Sequence, residues 1–150
     1  MRSLSRLAAV LLLVFPLTAC KRPCEARPVT FVLPSLPTSP RLEGVTQGDL
    51  LGGGDRMTVT VCTPGVLSFG ARSTSVNAPP ARIAVTAGGE VLQELGLSGE
   101  TRQVRVSIPA GTEVQVRLLN DGQGGSGDVN ASLFAVRVSE STEGATPARE

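Results

Sequence analysis

The chain has 150 residues, with 14 basic and 13 acidic side chains and a formal charge of +1, so it carries no electrostatic footprint for nucleic acid, and that partner class is excluded. Histidine, tryptophan and tyrosine are absent and the aromatic residues are Phe15, Phe31, Phe69 and Phe134, which removes imidazole catalysis, base-stacking platforms and the usual aromatic shelves. The 17 glycines and 11 prolines disfavour a helical bundle and favour short extended segments joined by tight turns.

Arg2 and Arg6 give the chain a positive start, and Leu7 to Phe15 is an apolar run far shorter than the ~20 residues that span a bilayer. Residues 1–19 therefore read as a signal peptide. Directly after the run stands Leu17-Thr18-Ala19-Cys20, which resembles the lipobox of bacterial lipoprotein precursors. The resemblance implies cleavage between Ala19 and Cys20, with Cys20 acylated on its sulfur and at the new amino terminus; the alternative is an ordinary secretory signal followed by a cysteine. Each buried methylene contributes ~0.8 kcal/mol and a single chain holds weakly, so three acyl chains would anchor the protein to a membrane without a spanning helix. Lipoproteins kept at the inner membrane of didermal bacteria usually carry an aspartate after the lipidated cysteine. Lys21 stands there instead, which points to the outer membrane of the cell envelope. Loss of residues 1–19 removes two arginines and no acid, turning the net charge to −1.

With Cys20 assigned to lipid, Cys24 and Cys62 remain as an even pair. In an oxidising envelope a bridge between them would close a loop of about 38 residues, worth ~3–4 kcal/mol on the chain-entropy view. Two unpaired thiols stay open as the alternative, because spacing does not show how closely the Cα atoms approach. A zinc site is unsupported without histidine or a metal-type CxxC. Residues 20–41 include Pro23, Pro28, Pro34, Pro37 and Pro40 and read as a semi-extended, proline-rich linker, with Val29 to Leu33 as a potential edge strand.

From residue 42 to 138 the hydrophobic period is two. Met57, Val59 and Val61 alternate with polar neighbours, as do Ile83 and Val85, then Val104, Val106 and Ile108, then Val114, Val116 and Leu118. Val66 to Ala71 is a further strand, and on the last strand Phe134, Val136 and Val138 are expected to point inward. Gly52 to Asp55, Pro64-Gly65, Pro79-Pro80, Gly88-Gly89, Ser98-Gly99 and Pro109 to Gly111 supply the turns. Glu90 to Leu97 could make a helical turn, but it is short and bracketed by glycines, and reads as a strand. Seven or so antiparallel strands with one apolar face each must bury those faces against a second sheet, so the expected fold is all-β, a β-sandwich. Residues 139–150 hold no large apolar side chain and read as a disordered tail.

The segment from Asn120 to Asn130 (NDGQGGSGDVN) is the densest group of oxygen donors in the chain. Calcium takes six to eight oxygens, and glycines let backbone carbonyls turn towards it. The competing reading is a polar connection between sheets, since Asn, Asp and Gly also favour turns. Asp128, Asn130 and Ser132 repeat the start of an EF-hand loop, but Leu133 occupies its glycine position and Ser139 that of its final glutamate, so it is not one.

From about Val66 to Val138, the order VQVRLLND, GQGGSG, DVNASLFAVRV, preceded by RIAVTAGGEVLQEL and VSIPAGTEVQVRL, resembles the small calcium-dependent xylan-binding modules of carbohydrate-binding families 36 and 60. The resemblance implies a jelly-roll-like antiparallel β-sandwich with calcium at a loop edge, where the metal meets sugar hydroxyls. It assigns Asp121, Asp128 and Asn130 to the metal, with Asn120 supporting the loop. Family members usually place an aromatic residue and then an acid where this chain has Ser132 and Phe134. The expected function is a membrane-anchored lipoprotein that binds glycan or calcium. The alternative is a non-catalytic envelope lipoprotein, structural or bound to another envelope protein, that has lost the ligand. An enzyme is not expected: without histidine and with one lysine, only a carboxylate pair such as Asp121 and Asp128 remains, and no subsites surround it.

Overall fold

The computed structural model describes residues 22–52, 54–121 and 128–141. The signal segment with Cys20, the glycine-rich stretch 122–127 and the expected tail from residue 142 onward lie outside the described residues. Within them the chain forms ten strands: β1 (Arg27–Val32), β2 (Arg41–Glu43), β3 (Gly48–Leu50), β4 (Arg56–Thr60), β5 (Gly65–Ser73), β6 (Arg82–Ala87), β7 (Glu90–Gly96), β8 (Arg102–Ile108), β9 (Glu113–Leu118) and β10 (Ala131–Glu140). They assemble as a six-stranded sheet, β2-β1-β4-β9-β6-β7, and a four-stranded sheet, β3-β10-β5-β8. Every pairing of named strands is antiparallel. The molecule is a jelly-roll-like antiparallel β-sandwich: the period-two pattern called for the sandwich, and the resemblance implied its jelly-roll form.

Between the sheets, Met57, Val59, Ile83, Val85, Val114 and Val116 from one layer meet Leu67, Phe69, Val104, Val106, Ile108 and Leu133 from the other, all buried. Each side chain of this size contributes ~1.5–3 kcal/mol on leaving water. Glu90–Gly96 is a strand, paired with β6.

Three sequence expectations change. The folded body begins before residue 42: β1 lies inside the six-stranded sheet between β2 and β4, and its Phe31 is fully buried. The prolines that suggested a linker are accommodated. Pro28 sits where the β1–β4 register slips by one residue, a bulge at which a missing N–H costs no ladder bond. The prolines that follow β1 turn the chain back, closed by Leu33 N–H to Pro40 O at 3.1 Å, Leu36 N–H to Leu33 O at 3.2 Å and Ser39 N–H to Leu36 O at 2.8 Å.

The second change is on β10. A bulge between Phe134 and Arg137, with Ala135 at a φ of 50°, shifts the alternation. Ala131, Leu133 and Val136 face the core, while Phe134 turns outward and Val138 is exposed. One inserted residue reverses which face a strand's side chains occupy. The third change is that β10 runs through Glu140, so strand pairing with β5 reaches two residues into the segment expected to be a tail.

Cys24 and Cys62 form a disulfide with a Cα–Cα distance of 5.6 Å. They precede β1 and follow β4 on neighbouring antiparallel strands, so the bridge fastens the amino-terminal segment to the six-stranded sheet.

Candidate functional site

The segment that resembles a calcium loop leaves β9 in one sheet and enters β10 in the other. The end of β10 at Ala131 is flanked by Leu50 of β3 and Ser73 of β5. The β3–β4 turn, the β5–β6 connection and the β9–β10 connection therefore meet at one end of the sandwich.

Asn120 is buried and spends both ends of its amide on the backbone. Its Oδ1 accepts from Arg82 N–H at 2.8 Å and its Nδ2 donates to Pro80 O at 3.0 Å. Leu119 N–H adds a bond to Arg82 O at 2.8 Å. The residue locks the exit of β9 onto the start of β6, a supporting position.

Asn130 is held from the opposite side. Its backbone N–H donates to Ser75 Oγ at 3.1 Å and its carbonyl accepts from Thr74 N–H at 3.0 Å. Ser73 Oγ lies 3.0 Å from Ser75 Oγ and accepts from Ala81 N–H at 2.9 Å. With its main chain fixed, Asn130 presents a buried Oδ1 that has no hydrogen-bond partner among the described residues. A buried acceptor left unpaired costs ~1–3 kcal/mol, a cost that a water or an ion bound at the position would offset. Asp128, two residues earlier, is exposed and forms an isolated antiparallel bridge with Val76. An amide oxygen and a carboxylate of this kind suit a hard cation.

Asp121 stands on a different support. Its carboxylate lies against Gly52, where a β-carbon would fall 2.5 Å from Oδ1. Gly52 also has a φ of 102°, a conformation that L side chains rarely adopt. Asp121 lines a cleft of about 350 Å³ together with Asp55, Arg56 and Arg117; the two arginines are cross-strand neighbours on β4 and β9. The predicted ligands thus divide between two flanks of the same sandwich end. Asp128 and Asn130 are set against the β5–β6 connection, and Asp121 against the β3–β4 turn. Among the described residues no three His, Cys, Asp or Glu side chains gather around one point.

Sequence reasoning missed two parts of this end. The Ser73-Thr74-Ser75 anchor of Asn130 carries no motif, only small hydroxyl residues at a strand end. Asp55 reads as a turn residue after three glycines, yet it is 2% exposed and its carboxylate accepts from Ser35 N–H at 2.9 Å, Ser35 Oγ at 2.5 Å and Leu51 N–H at 3.0 Å.

No protein-family model matches the chain, and no curated protein matches it. Solved structures do. A cleaved adhesin domain of Lys-gingipain from Porphyromonas gingivalis is 19% identical, with a TM-score of 0.47 over 58% of this chain, which spans 62% of that domain. A family 36 carbohydrate-binding module in complex with calcium and xylotriose is 17% identical, with a TM-score of 0.44 over 77% of this chain and 93% of the module. Tandem family 51 modules of a family 98 glycoside hydrolase from Streptococcus pneumoniae are 11% identical, with a TM-score of 0.49 over 75% of this chain and 36% of theirs.

Proposed function

We propose that the chain is a non-catalytic lipoprotein of the bacterial envelope, held at the outer membrane through Cys20, whose sandwich binds glycan with calcium at the β9–β10 edge. The observation that carries the calcium reading is the buried Oδ1 of Asn130, which has no partner among the described residues, in a segment whose sequence order already resembles the calcium-dependent modules. Asp128 and Asn130 would hold the ion, with Asn120 bracing the loop; Asp121, set against Gly52 on the other flank, is not part of that pair. A bound calcium ion supplies a hard Lewis-acidic centre that orders hydroxyl oxygens. The chain's own contribution is to fix the donor oxygens: Ser75 and Thr74 hold the main chain of Asn130.

A second reading has its own observation. Asp121 shares its cleft with Arg56 and Arg117, and fewer carboxylates weaken a calcium site. On that reading the domain is an envelope structural or protein-interaction module. Retention on immobilised xylan separates the two: calcium-dependent retention that EDTA abolishes supports the first, and equal mobility with and without calcium contradicts it. The anchor is tested by metabolic labelling with a fatty-acid analogue. Label in the wild-type chain and none in Cys20→Ser is the expected outcome; label that survives the substitution contradicts lipidation at Cys20.

A further inference from the structure

Of the three phenylalanines in the described residues, Phe31 and Phe69 are fully buried in the core and Phe134 is half-buried. Phe134 lies on the outer face of the four-stranded sheet, opposite Gly70. A β-carbon on Gly70 would overlap Cε2, with Cζ at 2.7 Å and Cδ2 at 2.8 Å. Those near-equal distances describe approach to the face of the ring; an in-plane approach would leave both neighbouring carbons farther away. The ring therefore lies flat on the glycine, with its second face turned away from the sheet. This is the packing by which an aromatic side chain shields an exposed glycine in a sheet.

Polar groups surround it in register. Gly48, the partner of Leu133, faces the core, since a β-carbon there would meet the Phe31 ring at 2.5 Å, so Gln47 and Asp49 face outward. One cross-strand row runs Asp49, Ser132, Arg72, and the next runs from Phe134 through Gly70 to Gln103. Gln47, Asp49, Arg72, Thr101, Ser132 and Phe134 line a cleft of about 640 Å³. Four strands at ~4.8 Å spacing give it a width on the order of 14 Å. Ser132 Oγ donates to Asp49 Oδ1 at 2.5 Å; the Arg72 guanidinium makes no hydrogen bond or ion pair among the described residues.

We infer that this cleft is a second, calcium-independent saccharide site, with Phe134 as the stacking platform. A pyranose presents C–H groups on one face and hydroxyls at its rim. The free face of Phe134 takes the first, as apolar and aromatic groups do in small-molecule sites. Asp49 accepts from rim hydroxyls and Arg72 donates to them. One carboxylate and one guanidinium balance in charge, so the ligand is a neutral sugar with adjacent hydroxyls. The inference rests on the reading of the domain as a saccharide binder, but uses none of the residues of the β9–β10 edge.

The test is titration of the full chain, in a non-glycosidic detergent with EDTA present, using xylotriose and a neutral β-1,3-linked glucose trisaccharide as probes. Binding of at least one probe is expected. Phe134→Leu, which keeps an apolar cover on Gly70 but lacks a flat ring, and Arg72→Ala, at an exposed position, should each weaken it about tenfold or more; Glu90→Ala, at an exposed position on β7 in the other sheet, should leave it unchanged. Failure of both probes to bind in EDTA, or binding indifferent to Phe134→Leu and Arg72→Ala, overturns the site. Preference for a galacturonate trisaccharide overturns its assignment to neutral sugar. Loss of calcium-dependent binding alone, with EDTA-resistant binding intact, removes the loop reading and leaves this one standing.

Discussion

Asp55 and Asn130 mark opposite uses of a buried polar group. The Asp55 carboxylate accepts three hydrogen bonds and ties Ser35 of the proline-rich turn to Leu51 beside β3. Removing it takes the shared acceptor from those part-buried donors, so Asp55→Ala should lower stability by ~1–3 kcal/mol, read as a lower urea midpoint with an unchanged slope. An unchanged midpoint would contradict its bracing role. Asn130 is held as firmly through its main chain, yet its Oδ1 has no partner among the described residues. Without calcium, then, Asn130→Ala should be nearly neutral or mildly stabilising, by up to ~1 kcal/mol, because it deletes an unsatisfied acceptor. A loss of several kcal/mol in EDTA would show that the oxygen is already satisfied by the protein. The candidate ligand residues stood out in the sequence because Asp, Asn and Gly cluster in one short stretch. Asp55 and the Ser73–Ser75 anchor were not, because a single carboxylate in a turn and three hydroxyl residues gain meaning only when distant segments are brought beside them.

Among the elements, the strands with a sustained period of two were legible: β4, β6, β8 and β9 stand where the alternation of valine and isoleucine put them. The strands that escaped did so for separate reasons. At three residues each, β2 and β3 are too short to express a period. β1 was read no further than as a potential edge strand over Val29 to Leu33, because prolines carry no ladder N–H and so read as linker; a bulge at Pro28 and a turn through Pro34, Pro37 and Pro40 remove the conflict. β10 was found and Val136 faces the core as expected, but Phe134 and Val138 do not, because the bulge near Ala135 has no sequence mark beyond an ordinary alanine. If β1 belongs to the core, Phe31→Ala should cost ~3–5 kcal/mol, as truncation of a buried phenylalanine does. A loss below ~1 kcal/mol would return residues 20–41 to the role of linker. The Cys24–Cys62 bridge fastens the same strand, so paired substitution of both cysteines by serine should lower stability by ~3 kcal/mol, measured against the wild type under non-reducing conditions. Equal stability would contradict a bridge that matters to the fold.

At the scale of the whole molecule, the sandwich brings three connections to one end and leaves the outer face of the four-stranded sheet lined by Phe134, Arg72 and Asp49. The proposed anchor at Cys20 precedes the disulfide by four residues, so a lipid tether there would hand over to the folded body almost at once, with little free chain between. Such a domain would sit close to the membrane surface, presenting its ligand-binding edge from a nearly fixed base. The central claim is that the β9–β10 edge takes calcium, and the most direct measurement is the thermal midpoint of the protein in EDTA and in 10 mM calcium. Extracellular-type sites hold calcium with dissociation constants near 0.1–1 mM. At ~100-fold excess over the tighter value, linkage adds about 2.7 kcal/mol, a rise on the order of 10 °C for a domain of this size. With calcium bound at this edge, the wild-type chain shows that rise and Asp128→Ala and Asn130→Ala lose it; a midpoint unmoved by calcium, or a rise that survives both substitutions, would contradict a calcium site there.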